Sequence, residues 1–226
     1  MLKDEFSKMY ECGVHIGHRT QKWNPKMKKY IHGEKNGIHV IDLEKTEDCL
    51  KKAMEFLNKL SVEGKTVLFV STKPQSIKLL EGTAIDVHMP YVVNRWISGL
   101  LTNFDTLKTR IKYFVNLKEQ DSSGELEKYT KKEASNLRKQ IEKLETTLGG
   151  VQTLTRLPDA VFVVDAVRDS VVVKEALKLK IPIVSIVDTN ADPTKITYPI
   201  PANDDAVKSL AYILGKIQEA FKKTSK

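Results

Sequence analysis

The sequence predicts an α/β protein built on a mostly parallel, doubly wound sheet, with a helical hairpin inserted into it. Three patterns carry that prediction. Short, almost wholly apolar runs at Thr66 to Ser71, Ala160 to Asp165 and Ile183 to Asp188 read as strands buried on both faces. Longer one-faced amphipathic stretches separate them, as parallel strands require of their crossover helices. Between Phe104 and Leu148 the rhythm changes to two apolar seams with coiled-coil spacing.

Taken in order, Asp4 to Cys12 reads as a short helix. Gly13, Gly17, Asn24-Pro25, Gly33 and Asn36-Gly37 then punctuate a stretch expected to be mostly loop. Ile38 to Leu43 reads as a strand feeding a helix from Glu44 to Leu60, where Leu50, Ala53, Met54, Leu57 and Leu60 share a face. After the strand Thr66 to Ser71, Pro74 suits the first turn of a helix running to Leu80, and Tyr91-Val92-Val93 supplies another short strand. The first seam is Phe104, Leu107, Ile111, Phe114 and Leu117. A polar turn at Asp121-Ser122-Ser123-Gly124 leads to the second seam, Ala134, Leu137, Ile141, Leu144 and Leu148, which Gly149-Gly150 stops. The outer faces carry Lys131, Lys132, Glu133, Arg138, Lys139, Glu142, Lys143 and Glu145. That mixture suits a solvated surface with i,i+4 support, or secondarily an RNA-binding stripe. Beyond Pro158 follow the strand Ala160 to Asp165, a helix from about Ser170 to Leu179 and the strand Ile183 to Asp188. A closing helix from Ser209 to Phe221 runs into a basic tail. Residues 1–101 and 149–226 thus form the α/β body, with a basic N-terminal region, and 102–148 the coiled-coil insertion.

The 226 residues, 41% hydrophobic, suffice for one sizeable core and an appendage. A net charge of +8 and a pI near 9.2 favour a polyanionic partner, since clustered cations gain affinity by releasing phosphate counterions. The first 35 residues hold eight Lys and Arg against four acids, half of that net charge. An ordinary Lys-rich surface is the alternative. Cys12 and Cys49 are the only cysteines and form no Cys-x-x-Cys pair, which points to a reducing compartment. The opening Met1-Leu2-Lys3-Asp4-Glu5-Phe6 carries acids where a secretory signal needs an apolar run, and no later stretch approaches a span of about 20 apolar residues. A cytoplasmic protein without membrane contact is expected.

A doubly wound sheet holds ligands outside the carboxyl ends of its strands. Yet the chain has neither G-x-G-x-x-G after a strand nor G-x-x-x-x-G-K-[ST], the two standard phosphate cradles. Asp165, the run Asp188-Thr189-Asn190-Ala191-Asp192-Pro193, and Asn203-Asp204-Asp205 lie where catalytic carboxylates could lie. A nucleotide- or metal-dependent enzyme using Asp165, Asp188 and Asp204 is therefore the rival reading. Turn formation and helix capping are preferred, because Asp, Asn and Thr suit both roles. Cys12, His15 and His18 are spaced for zinc, but lack a fourth ligand within a rigid frame. Packed or RNA-facing histidines are the simpler reading, and a Cys-His nucleophilic pair lacks a group to orient its base. No catalytic residue, metal ligand, cofactor or small-molecule substrate is assigned.

The segment from Gly17 to Ile31 interleaves Arg19, Lys22, Lys26, Lys28 and Lys29 with Trp23 and Tyr30. Cations meet phosphates and flat rings meet unpaired bases or riboses, so the mixture suits RNA held through backbone and shape. Alternatively, the two aromatics pin a loop to the core.

Gly13-Val14-His15-Ile16-Gly17-His18, Trp23-Asn24-Pro25-Lys26-Met27, Asn36 to Leu43, Arg95-Trp96, Leu101-Thr102-Asn103-Phe104, Lys131-Lys132-Glu133-Ala134, Leu148-Gly149-Gly150, Leu157-Pro158-Asp159-Ala160, Asp188-Thr189-Asn190 and Asn203-Asp204-Asp205 follow one another along almost the whole chain. Together they resemble the bacterial and organellar type of the family of small-subunit ribosomal protein number two. The resemblance implies a flavodoxin-like or Rossmann-like body with a coiled-coil protrusion, bound to 16S-type ribosomal RNA near the junction of head and body. It also implies other small-subunit proteins as neighbours, among them the large messenger-binding ribosomal protein, and a place on a cytoplasmic or organellar ribosome. On that reading Arg19, Lys22, Lys26, Lys28 and Lys29 are the candidates for phosphate contacts, Trp23 and Arg95 for stacking or anchoring, and Asn103 for a polar contact at the hairpin root. Lys108, Arg110 and Lys112 follow them. Ser71, the run Ile97-Ser98-Gly99, and Ala202 depart from the family's glycines, so these loops are expected to differ in shape.

Overall fold

The computed structural model describes residues 2–222, with side chains from residue 5 onward; the expected basic tail lies mostly outside them. Five parallel strands form the central sheet: β4 (Val67–Val70), β5 (Tyr91–Val92), β6 (Ala160–Val163), β7 (Ile183–Val187) and β8 (Tyr198–Pro201). Their spatial order is β5-β4-β6-β7-β8, which counted along the sheet is the 2-1-3-4-5 order of flavodoxin-like folds. Every residue of β4, β6 and β7 is buried, as their unbroken apolar character requires when helices cover both faces.

One core, on one side of the sheet, joins Phe69, Phe162 and Ile186 to α2 (Leu43–Val62), α3 (Ile77–Asp86) and α7 (Val207–Lys222). Leu50, Ala53, Leu57 and Leu60 of α2 are buried in it, each Leu stabilising the fold by about 1.5–3 kcal/mol. The second core joins Leu68, Val70 and Val161 to α6 (Ser170–Lys178), and to the near ends of α4 (Phe104–Ser122) and α5 (Lys131–Leu148). All five expected seam residues of α4 are buried, with Ala134 and Leu148 of α5. Leu117, Leu126 and Ala134 are buried yet belong to neither core, so the far end of the helix pair shields its own apolar groups. Ion pairs also run between the two helices, Lys118 to Glu145 at 2.8 Å and Arg138 to Asp121 at 3.0 Å. The i,i+4 pairs expected along α5 do not appear among the described residues.

Several boundaries differ from expectation. The stretch from Gly13 to Gly37 is not mostly loop. After α1 (Leu2–Glu11), β1 (Ile16–Arg19), β2 (Ile31–Lys35) and β3 (Ile38–Ile41) form a separate antiparallel sheet in the order β1-β3-β2. The strand expected at Ile38 thus belongs to this small sheet and not to the parallel one. Pro74 lies in a turn, and α3 starts at Ile77 and runs to Asp86. The Ser76 amide donates to the Lys73 carbonyl and its hydroxyl meets that of Ser71 at 2.5 Å, which closes the turn before the helix begins. β8 was not expected, because Tyr198-Pro199-Ile200-Pro201 reads as a strand breaker. It is an edge strand, where proline is tolerated.

Candidate nucleic-acid interface

The small N-terminal sheet lies against the carboxyl ends of the parallel strands. Gly17 makes the approach possible: a β-carbon there would sit 2.6 Å from the Thr189 methyl group. Hydrogen bonds fasten the segment's backbone. The His18 amide donates to Thr189 Oγ1 at 2.9 Å and the Asn24 amide to the Thr189 carbonyl at 2.7 Å. The Asn203 side-chain amide donates to the Ile16 carbonyl at 2.6 Å, and the Asn203 backbone N–H to the Val14 carbonyl at 3.0 Å. Asn203 Oδ1 also accepts from the Asp205 and Ala206 amides, and Asp165 Oδ1 accepts from the Val167 and Arg168 amides. These side chains shape turns, as expected of them.

Beneath the segment sits a cluster of charge. Lys73, following β4, reaches Asp165 at 3.3 Å, Asp204 at 2.8 Å and Asp205 at 2.7 Å. His18 Nδ1 meets Asp188 at 3.0 Å and its Nε2 meets Asp205 at 3.6 Å. Burial and the charges of Asp165 and Asp188 push the Asp204 carboxyl up to about 7, against the pull of Lys73. The hydrogen bond to Asp188 raises His18, outweighing its burial. The three carboxylates hold the Lys73 ammonium well above its ordinary range despite its burial. His18, Asp188, Asp204 and Asp205 offer ligand atoms all within 4.8 Å of one another, a donor set chemically suited to a divalent cation. Lys73 already compensates two of those acids. The Cys12, His15 and His18 set is not assembled: among the described residues only His18 joins a cluster of this kind, while the His15 ring stacks on Tyr10 at 4.2 Å.

The basic segment forms the outer surface. Two 3₁₀ stretches, Thr20–Lys22 and Pro25–Tyr30, give it order, with Asn24 Oδ1 accepting from the Lys26 amide and Met27 fully buried. Arg19, Lys22, Lys28 and Lys29 are exposed and have no carboxylate partner among the described residues. Lys29 lies over the Tyr30 ring at 4.7 Å. Lys26 departs from the expectation of a free cation: its ammonium meets Asp192 at 2.7 Å and Thr194 Oγ1 at 3.3 Å. Burial pushes the Asp192 carboxyl up, but the Lys26 and Thr194 hydrogen bonds prevail and hold it at about 2. Trp23 is half-buried with its ring 5.1 Å from that of His39, so the pinning role accounts for much of it.

Arg95, Arg110 and Asn103 gather at the hairpin root. Arg95 and Arg110 are exposed and face a common cleft of about 450 Å³. Asn103 is exposed and accepts from the Thr106 hydroxyl at 2.9 Å. Lys108 is half-buried and Lys112 exposed on α4, and neither has an ion-pair partner among the described residues. The loop leading into α4 is organised by a residue the sequence reading passed over. Glu175 of α6 accepts from Trp96 Nε1 at 3.0 Å, the amides of Gly99, Leu101 and Thr102 at 2.8, 3.1 and 3.2 Å, and the Thr102 hydroxyl at 3.2 Å. The available signal was an acid on the buried face of α6, beside Val172, Val173 and Ala176. Of the departures from family glycines, Ser71 and Ala202 are fully buried and neither has positive φ. Ser71 is therefore out of reach of any RNA, whereas Ser98 is exposed beside the cleft.

A family model described as ribosomal protein S2 matches residues 9–224. The chain belongs to the ribosomal protein S2 family. Similar relatives include the small ribosomal subunit protein uS2 of Dictyoglomus thermophilum, 49% identical over 94% of this chain and 87% of its own length. The uS2 of Campylobacter concisus is 45% identical over 94% of this chain and 81% of its own. The protein uS2c of Cyanophora paradoxa is 45% identical over 94% and 91%. As an S2-family protein the chain is a constituent of the small ribosomal subunit, in a family of ribosomal proteins and not of enzymes. The enzyme reading is correspondingly not favoured. Asp165, Asp188 and Asp204 do converge, but at the switch point between β4 and β6, the ligand position of this architecture, Lys73 is paired with Asp165 and Asp204, and the N-terminal segment covers the ends of β7 and β8. No helix among the described residues is long and apolar enough to cross a membrane.

Proposed function

We propose that this S2-family protein acts by binding alone: its basic N-terminal surface holds 16S-type ribosomal RNA by the phosphates, and its body helps dock the large messenger-binding ribosomal protein. The observation that carries the reading is the state of the cations. Arg19, Lys22, Lys28 and Lys29 stand exposed without carboxylate partners among the described residues, on a platform whose backbone is tied to the body. Preordered cations bind a polyanion at less entropic cost than a floppy loop does. Lys26 contributes to that order and is neutralised by Asp192. For a protein neighbour, a concavity of about 300 Å³ opens beside Phe6, His15 and His32, next to the exposed Tyr10, the kind of apolar surface that receives a partner's side chain.

The test is replacement of Lys22, Lys28 and Lys29 together by Glu. The variant is expected to fold normally, to fail to co-sediment with small subunits, and to lose about two to three units of slope in log K against log salt on ribosomal RNA, at 0.7–0.9 per phosphate contact. Normal co-sedimentation with an unchanged slope overturns the assignment.

A further inference from the structure

The cleft at the hairpin root has the makings of a binding site in its own right. Its walls come from the loop after β5 and from both helices of the hairpin, and its volume is about 450 Å³. That lies within the range of about 300–1,000 Å³ for sites that enclose a small ligand, and excludes a helix or a duplex. The lining holds two cations, Arg95 and Arg110, and no acid. Neither guanidinium has an acceptor among the described residues. Between them lies an apolar floor of Trp96, Leu107 and Leu144, with Ser98 at its edge.

The walls are held in place without a ligand. Glu175 fixes the indole N–H of Trp96 and the amides that follow it. The Asn94 side-chain amide donates to the Thr146 carbonyl at 2.8 Å, joining the β5 loop to α5. A prebuilt apolar floor flanked by two planar, permanently charged forks matches one ligand chemistry closely. A nucleobase covers the floor or stacks on a guanidinium plane, while its phosphate accepts from the forks. An acidic peptide would use the same cations but would leave the floor uncovered. Lys108 and Lys112 extend the unpaired positive charge along α4, as a continuing phosphate backbone needs.

We infer that this cleft takes a single unpaired nucleotide of the RNA, its base on the Trp96, Leu107 and Leu144 floor and its phosphate between Arg95 and Arg110. The inference rests on the RNA-binding reading and adds a second site to it, remote in sequence from the N-terminal surface. The full chain is cross-linked to small-subunit ribosomal RNA with ultraviolet light and the adducts mapped by mass spectrometry, with RNA affinities measured in parallel. A nucleotide adduct is expected on a peptide from Arg95–Leu101 or Leu107–Ile111. The double variant R95A/R110A should lose that adduct and about tenfold in affinity, while keeping adducts in the N-terminal segment. R95K/R110K, which keeps the charge without the planar fork, should fall between. Wild-type affinity in R95A/R110A, with adducts only elsewhere, overturns the inference and leaves the N-terminal reading intact. A poly-glutamate peptide that binds wild type tenfold more tightly than R95A/R110A, with RNA affinity unchanged, assigns the cleft to an acidic protein segment and also overturns it. Absence of salt-dependent RNA binding by the wild type removes both readings together.

Discussion

Replacing Glu175 by Gln tests how the loop that carries Arg95 and Asn103 is held. In the folded protein Oε1 accepts from Trp96 and Gly99, and Oε2 from the Leu101 amide and from both donors of Thr102. Glutamine has nearly the same shape but only one acceptor oxygen. Turned to serve the three donors at Oε2, it sets its own NH₂ against the Trp96 and Gly99 N–H groups, leaving two donors unmatched. At about 1–3 kcal/mol for each buried group without a partner, the cost is about 2–6 kcal/mol, a large part of the 5–15 kcal/mol that holds a typical domain together. Burial pushes the Glu175 carboxyl up, yet the hydrogen bonds from Trp96 and the three amides outweigh it and hold the group below the ordinary range. Because the folded value is depressed, this contribution is present above the unfolded value of 4.5 and is lost as pH falls through the folded value. Urea unfolding of wild type and E175Q should therefore differ most at pH 7 and converge in acid, where protonated Glu itself resembles Gln. Hydrogen exchange at Leu101 and Thr102 should quicken in the variant. A difference below about 0.5 kcal/mol at pH 7, within the range of ordinary surface substitutions, would refute the reasoning, as would a larger difference that does not change with pH.

Removing Lys73 as K73M leaves buried carboxylates without their cation and should cost about 3–5 kcal/mol in urea unfolding; a loss under 1 kcal/mol means that the acids find another counter-charge. Asp204 has the opposite sign from Glu175: its folded value near 7 lies above the unfolded 3.8, so the wild type loses stability as pH rises between them, by at most about 1.4 kcal/mol per unit. D204N should thus gain on the wild type from pH 5 to pH 8, and parallel stability curves would contradict this. Gly150→Ala puts a methyl group into the Tyr91 carbonyl, a rigid backbone neighbour, and should lower the melting temperature by several degrees, as about 1–3 kcal/mol of overpacking does. An unchanged melting temperature would mean that α5 shifts freely at its root.

The parallel strands and the hairpin were legible because their signals are local. An apolar run such as Val67–Val70, or a seam such as Leu107, Ile111 and Phe114, states its own burial. The N-terminal sheet was not, since β2 exposes four of its five residues and β1 shows no inside-outside alternation. Its order comes from Thr189 and Asn203, more than 170 residues away. The same distance hid the fate of single charges. Nothing beside Lys26 marks it for Asp192, and nothing beside Lys73 marks it for Asp165 and Asp204. Asp165, Asp188 and Asp204 stand together in the rival enzyme reading, but turn formation and capping are the preferred roles, and Asp165 and Asp188 partly fill them. The convergence of Asp188, Asp204 and Asp205 on His18 is a product of the strand order.

The two helices of the hairpin leave and rejoin the body at points that are both clamped, Asn103 by the Glu175 loop and Gly150 by its contact with the Tyr91 backbone. With 18 residues, α5 is about 27 Å long at 1.5 Å per residue. A lever of that length on a yielding hinge would let its tip wander while the base stayed still. Anchored as it is, a push at the tip is felt as torque on α6 and on the strand edge at β5, so a neighbour that grips the far end also steadies the sheet.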